Sequence, residues 1–181
     1  MNIIYSRAAT DEELHQILNL QERNLRMVLS TQERQEEGFV TLNHSFEMLK
    51  KMNDACAHCI AKHESEVVGY ALSMLQDFKN DIPLLAPMFH EIDEVLEEKD
   101  LYKNYIAMGQ ICVDKNFRGH GVFRGLYYYM ANQLKDDFDA IITEVDTKNT
   151  RSSNAHKAVG FEVLKNYTSN NQLWEVILLK L

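Results

Sequence analysis

Ile111-Cys112-Val113-Asp114-Lys115-Asn116-Phe117-Arg118-Gly119-His120-Gly121-Val122-Phe123-Arg124-Gly125-Leu126 is the segment from which the rest of the chain becomes readable. Tyr105 to Val113 is an apolar run that predicts a strand, and Val122, Phe123, Leu126, Met130 and Leu134 recur on one face of a helix. Between them stand two closely spaced glycines with an arginine on either side. Glycine permits positive φ and lets main chain approach a ligand closely. The free N–H groups of a helix's first turn converge on one point and favour negative charge there. Such a turn can wrap a pyrophosphate with backbone donors, with Arg118 and Arg124 adding positive charge. A glycine pair also serves simply to connect a strand to a helix, so spacing alone leaves both readings open. Two other phosphate loops are excluded. No Gly-Lys-Ser/Thr follows for a Walker loop, and a GxGxxG pattern fails where its third glycine falls on Arg124.

Working outward, Ala140 to Val145 predicts the next strand, which completes a strand–helix–strand unit. A short helix from about Thr150 to Ala158 stops at Gly160, and Phe161 to Asn166 and Leu173 to Leu179 predict a closing hairpin. Upstream, Ile3 to Ala9 reads as a strand, and Thr10-Asp11-Glu12-Glu13 is a capping box opening a helix striped with Leu14, Ile17 and Leu18. Ser30 to Gly38 is expected to be a loop or a frayed helix end, and Asn43 to Met52 a helix burying Phe46, Leu49 and Met52. Ala57 to His63 and Val67 to Leu75 predict two strands around Glu64-Ser65-Glu66. Gln76 to Asn104 holds both prolines and a candidate helix, Met88 to Glu97; an excursion of this length is expected to be a substrate-recognition insertion. The order implies one α+β domain over residues 1–181 with a largely antiparallel sheet.

Val113-x4-Arg118-Gly119-x-Gly121-Val122 resembles the coenzyme A signature of the GNAT acetyltransferases, whose core reads Gln/Arg-x-x-Gly-x-Gly/Ala. The resemblance implies a mixed, mostly antiparallel sheet of about seven strands flanked by helices. It also implies acetyl-CoA as co-substrate, held at its pyrophosphate by the loop Arg118, Gly119, His120, Gly121, Val122, Phe123 and Arg124. The pantetheine arm would lie along Ile111, Cys112 and Val113. Phe123 departs from the pattern, since Gly or Ala usually stands there. A ring pointing into the core leaves its N–H for phosphate, whereas a ring facing the ligand blocks the site.

A second match follows in register. Glu144-Val145-Asp146-Thr147-Lys148-Asn149-Thr150-Arg151-Ser152-Ser153-Asn154-Ala155-His156-Lys157-Ala158-Val159-Gly160-Phe161 resembles the family's strand, Asn, short helix and Gly-Phe, and Val68-Gly69-Tyr70-Ala71 resembles its third strand. Asn149 matches the family Asn near the pantetheine. Glu144, five residues earlier, stands near the position where ribosomal-protein alanine N-acetyltransferases carry a catalytic Glu, and so becomes the candidate general base; a solvated or salt-bridged Glu is the other reading. His156 occupies the place of the usual Tyr acid. With an ordinary pKa near ~6.5 it is expected to protonate the departing thiolate; the other reading is a packed structural histidine. A backbone N–H on Ile111–Val113 would meet the developing oxyanion.

The implied reaction is direct transfer of an acetyl group to a primary amine of a small molecule or a protein N-terminus. The alternative is a non-catalytic acyl-CoA-binding regulatory module. A valine at Gly121 is expected to abolish cofactor binding by crowding the turn. With 27 acidic against 19 basic side chains, the net charge of −8 fits a cationic amine and argues against a nucleic-acid partner. Cys56-Ala57-His58-Cys59 lacks the second ligand pair of a zinc site and the following helix of a thioredoxin-like site, so neither metal nor redox chemistry is expected. Met1 to Arg7 lacks the basic head and apolar run of a signal peptide, and no run is long enough to span a membrane, so a cytoplasmic protein is expected. An exposed terminal hairpin would suit a homodimer.

Overall fold

The computed structural model describes residues 2–25, 42–102 and 104–181, and the expected loop at Ser30 to Gly38 lies outside them. Strands are β1 (Ile4–Arg7), β2 (Cys59–His63), β3 (Glu66–Met74), β4 (Tyr105–Val113), β5 (Ala140–Asp146), β6 (Glu162–Ser169) and β7 (Gln172–Lys180). Helices are α1 (Asp11–Arg23), α2 (Phe46–Ala55), α3 (Ala86–Glu98), α4 (Val122–Leu134) and α5 (Thr150–Val159). Among the described residues the strands form one seven-stranded sheet in the order β1-β2-β3-β4-β5-β7-β6. Every neighbouring pair is antiparallel except β4 and β5, which the crossover through α4 makes parallel. None of the described helices is long and apolar enough to cross a membrane.

Local chemistry explains the element ends. Thr10 accepts from the Glu13 N–H while the Glu13 carboxylate takes the Thr10 N–H, so the capping box is formed. Ser45 caps α2 by accepting from Met48 N–H. Gly160 ends α5 in the left-handed region at φ 115°. The β6–β7 hairpin turns on Asn170 and Asn171, both left-handed, the conformation a tight two-residue turn requires.

Two cores cover the two faces of the sheet. On one face α1, α2 and α3 bury Leu14, Ile17, Leu49, Met52, Phe89 and Ile92. On the other, α4 buries Val122, Leu126, Tyr127, Met130 and Leu134. The Gln76–Asn104 excursion is therefore no extended loop: it holds two short 3-10 turns and α3, with Met88, Phe89, Ile92, Val95 and Leu96 buried along that helix.

The feature that creates the site is a fault in β4. Tyr105 and Ala107 point to the first core, yet so does Cys112, while Val113 joins the second. Strict alternation would place all odd positions on one face. The pairing with β3 shifts register between Ala71 and Ser73, so β4 turns over there. The directions of the main-chain groups agree: the Met108 carbonyl accepts from the Thr143 hydroxyl on β5 at 2.8 Å, whereas the Asp114 N–H donates to the Val68 carbonyl on the β3 side at 2.8 Å. Beyond the fault, Ile111 and Val113 present their main chain to the edge that faces β5. There the parallel pairing has ended, since it runs only from Tyr105 to Ala107 against Ala140 to Ile142.

Candidate active site

The gap between β4 and β5 opens on both faces of the sheet. On the α4–α5 face lies a cavity of about 470 Å³ whose walls include Ile111, Val113, Gly119, Gly121, Phe123 and Asn149. On the opposite face lies a smaller one of about 90 Å³, bounded in part by Gln110, Glu144, Asp146 and His156. Ile111, Asn149 and Ser152 border both, so the two cavities meet at these residues.

In the larger cavity, Gly119 and Gly121 adopt φ +77° and +80°, and a Cβ built on either meets no protein atom within 4 Å. A valine at Gly121 would therefore not crowd the protein, contrary to the sequence expectation. What it would violate is the left-handed backbone, and its side chain would project into open cavity. Gly121 is the N-cap of α4, and the first i→i−4 bond runs from Gly125 N–H to the Gly121 carbonyl at 2.9 Å. The N–H groups of Val122, Phe123 and Arg124 precede that bond and so lack partners inside the helix. Phe123 lies edge-on to Tyr127 and His156, with ring centroids 5.2 and 5.0 Å away, so its ring packs sideways along α4 and α5.

Three of the predicted loop residues differ in how their side chains are engaged. The Arg118 guanidinium turns inward, donating from Nε to the Val113 carbonyl at 2.9 Å and from its terminal nitrogen to Asn24 Oδ1 at 2.6 Å. It braces the loop against β4 and the end of α1 while lining the cavity. His120 is exposed and its ring nitrogen donates to the Arg118 carbonyl at 2.9 Å, which leaves the main chain as its contribution. Arg124 is exposed at the cavity wall. Cys112 is buried, and that burial pushes its thiol up to about 12, which disfavours the thiolate.

Asn149 caps α5, its Oδ1 accepting from Ser152 N–H at 3.2 Å, and is almost fully buried at the junction of the cavities. Ser152, Ala155 and Ala158 then present small side chains to the larger cavity, at the i, i+3 spacing of one helix face. The sequence reading missed this stripe, although its spacing was there to be seen. Asn24 was also missed, because only the tertiary fold carries the end of α1 to the loop.

Glu144 sits on β5 at the smaller cavity, on the same strand face as Ile142. Desolvation by burial raises its carboxyl to about 7, opposed by a hydrogen bond from the Tyr167 hydroxyl. Tyr167 reaches it from β6, two strands away across β7, a partner no local pattern in the sequence could reveal.

His156 departs from its expected charge state. Its Nδ1–H donates to the Ser152 carbonyl at 2.8 Å, so Nε2 is the acceptor for the Tyr127 hydroxyl at 2.7 Å. Phe123, Tyr127 and Phe161 surround the ring, and burial lowers its pKa to about 4. A pKa lowered that far leaves the imidazole uncharged at neutral pH, with both ring nitrogens hydrogen-bonded.

The profile of the Acetyltransferase (GNAT) family matches residues 13–161. No curated protein sequence matches the chain. Among solved structures, it resembles the NatC complex bound to Gag peptide and CoA, at 15% identity and TM-score 0.67 over 100% of this chain and 99% of that one. The ribosomal-protein-S18-alanine N-acetyltransferase from Escherichia coli aligns at 12% identity and TM-score 0.64, covering 99% and 94% of the two chains. The polyamine N acetyltransferase of Drosophila melanogaster aligns at 12% identity and TM-score 0.69, covering 99% and 100%. At these identities the structural likeness establishes a shared fold.

Proposed function

Because the chain belongs to the GNAT acetyltransferase family, we propose that it transfers an acetyl group from acetyl-CoA directly to a primary amine, with Glu144 as general base. The observation that carries this reading is the position of Glu144. A buried carboxyl raised to about 7 stands across a shared wall from a cavity that ends in left-handed glycines.

The residues present fit the co-substrate. A diphosphate suits the N–H groups of Val122, Phe123 and Arg124 at the start of α4, where both glycines leave room for close approach. A slender pantetheine chain suits the wall of Ile111, Val113, Ala155 and Ala158. Acetyl-CoA supplies the acetyl group already activated as a thioester.

The chain's own residues do the rest. The overturned segment of β4 aims the Ile111 main chain at the open edge, where its N–H can meet negative charge growing on the acyl oxygen. Glu144 accepts the proton of the incoming ammonium, a task to which a carboxyl near 7 is well matched at neutral pH. The C–N bond then forms as the thioester C–S bond breaks, and the departing thiolate takes the second proton lost by the nitrogen. Tyr167 fixes the carboxylate's orientation. His156 holds the Asn149–Ser152 turn through the Ser152 carbonyl and so acts as a positioning residue, in its neutral form. The buried Cys112 thiol supports direct transfer over an acyl-enzyme. Most of the acceleration then comes from holding amine and carbonyl in line.

The test is calorimetric titration with acetyl-CoA together with thiol release over an amine panel. Binding with amine-dependent thiol release is the expected result. Binding without release on any amine would instead favour the regulatory-module reading, and no binding would remove both.

A further inference from the structure

The fault in β4 turns a side chain as well as main chain. Against β3, Ala71 pairs with Ile111 and Ser73 with Met108, so Gly109 and Gln110 together stand opposite Leu72. Strict alternation would give Gln110 the face of Ile106 and Met108, in the second core. The extra residue turns it instead toward Tyr70 of β3 and Gln21 of α1, on the face of the first core. There it joins a buried set of hydrogen bonds. Gln110 Oε1 accepts from the Tyr70 hydroxyl and from Gln21 Nε2, both at 2.5 Å, and Gln110 Nε2 donates to the Leu42 carbonyl at 2.8 Å. Gln21 Nε2 also donates to His44 Nδ1 at 3.0 Å, while Gln21 Oε1 accepts from the His44 N–H at 2.8 Å. Gln21, His44, Tyr70 and Gln110 are all buried. Polar groups withdrawn from water in this way add little net stability over apolar packing of the same shape; what they add is a fixed geometry.

That geometry fixes a wall. Leu42 and Gln110 both border the smaller cavity, and Leu42 and His44 lie in the segment that leads into α2. The Leu42 carbonyl is tied to Gln110 and the His44 N–H to Gln21, so two main-chain groups of this segment are pinned by side chains of other elements. Gln21, Leu42, His44, Tyr70 and Gln110 all lie off the walls of the larger cavity. We propose that Gln110 is a positioning residue for the acceptor: its amide sets where the Leu42 wall stands relative to Glu144, and so governs amine binding without governing acetyl-CoA binding. The proposal rests on the acetyltransferase reading, in which the smaller cavity receives the amine.

Two readouts separate this role from that of an amide that only supports the fold. Trp174 is the chain's one tryptophan and borders the same cavity, so its fluorescence reports on the walls with no acceptor present. Gln110→Met keeps the side chain's length and removes its donor and its acceptor. Opening the wall should raise acrylamide quenching of Trp174 by about half or more. For each amine that the wild-type protein acetylates, KM should rise about fivefold, the scale of one neutral hydrogen bond, with kcat and the acetyl-CoA Kd within about twofold. A lower Tm with unchanged quenching and unchanged KM overturns the proposal, as does an acetyl-CoA Kd that rises as much as KM. Should Gln110→Met fail to fold, Tyr70→Phe withdraws one of the two donors to Gln110 Oε1 and is expected to move both readouts the same way by a smaller factor. No movement in that variant overturns the proposal too. A wild-type protein that binds acetyl-CoA but acetylates no amine strikes the underlying function, and Trp174 quenching alone then decides whether Gln110 fixes the wall.

Discussion

The two cavities that meet at Ile111, Asn149 and Ser152 are built in opposite ways. Apart from Asn24, the larger is drawn from two nearly continuous segments, Ile111 to Arg124 and Asn149 to Val159, and includes the left-handed Gly119 and Gly121. The smaller is gathered from at least five separate elements and includes the Glu144 carboxyl, whose pKa is raised by burial. A site that grips a constant ligand can be made from main-chain geometry, which tolerates changes of side chain. A site that selects an acceptor must place particular groups, so it depends on tertiary packing. Substitutions on the two sides should therefore separate cleanly into effects on cofactor affinity and effects on turnover.

The largest such effect is expected from Glu144→Gln. General-base catalysis contributes about 10²–10⁴-fold, so kcat should fall at least a hundredfold while the Kd for acetyl-CoA stays within twofold. The same variant should be the more stable protein above neutrality. The folded carboxyl titrates at about 7 against 4.5 when unperturbed, so between those values the folded state binds more protons and stability falls as pH rises. Removing the acid gains up to ~3 kcal/mol at pH 8, readable as a higher Tm. A variant that loses both stability and acetyl-CoA binding would show that the two sides are not separable.

Gly121→Val probes the other side. A β-branched residue at φ +80° is strained by ~1–2 kcal/mol, and its side chain enters the space where a diphosphate would approach the N–H groups of α4. The expected outcome is a rise of tenfold or more in the acetyl-CoA Kd, measured by calorimetry, with a small loss of Tm. An unchanged Kd would break the assignment of the larger cavity.

Acid lability sharpens the contrast at the level of the whole fold. Burial lowers His44 to about 4, His58 to about 3 and His156 to about 4, each against an ordinary 6.5. The unfolded chain binds the extra protons between those values, so stability is full above 6.5 and declines as pH falls toward 4. His44 and His58 brace the first core, with His44 Nδ1 accepting from Gln21 and His58 Nε2–H donating to the Leu49 carbonyl. Of the three, His156 is the one that borders the smaller cavity. His156→Ala should thus remove part of the acid sensitivity and cost roughly 2–4 kcal/mol by leaving a hole and an orphaned Tyr127 hydroxyl. Thermal melts from pH 4 to 8 read both effects.

Legibility in the sequence divides along the same line. The glycine turn, the Gly160 helix end and the capping box at Thr10 are local, so residue identity and spacing carried them. Glu144 was legible through its place relative to Asn149, but its elevated pKa was not, since that comes from burial in the folded chain. His156 shows the limit most plainly. Its position in the sequence was informative, while its charge was set by Phe123, Tyr127 and Phe161, residues that meet only when α4 and α5 pack. Arg118 was read as positive charge beside the glycines, and its bonds to the Val113 carbonyl and the Asn24 side chain had no local signal. The turning over of β4 left no local mark either, because it arises from a register shift against β3.

The smallest expected effect is the most specific to the acceptor side. Tyr167→Phe removes one hydroxyl and keeps the ring in the first core, so folding should be nearly unaffected. The hydroxyl donates to Glu144 and thereby favours its ionised form, opposing the upward push of burial. Without it the carboxyl should titrate higher, and the acidic limb of the kcat/KM profile should move to higher pH relative to wild type, with little change in the plateau. The direction is diagnostic. If Tyr167 only filled space, the limb would stay in place and the plateau alone would change. If His156 rather than Glu144 set the limb, the shift would be absent in Tyr167→Phe, because Tyr167 bonds the carboxylate while the imidazole is bonded by Tyr127.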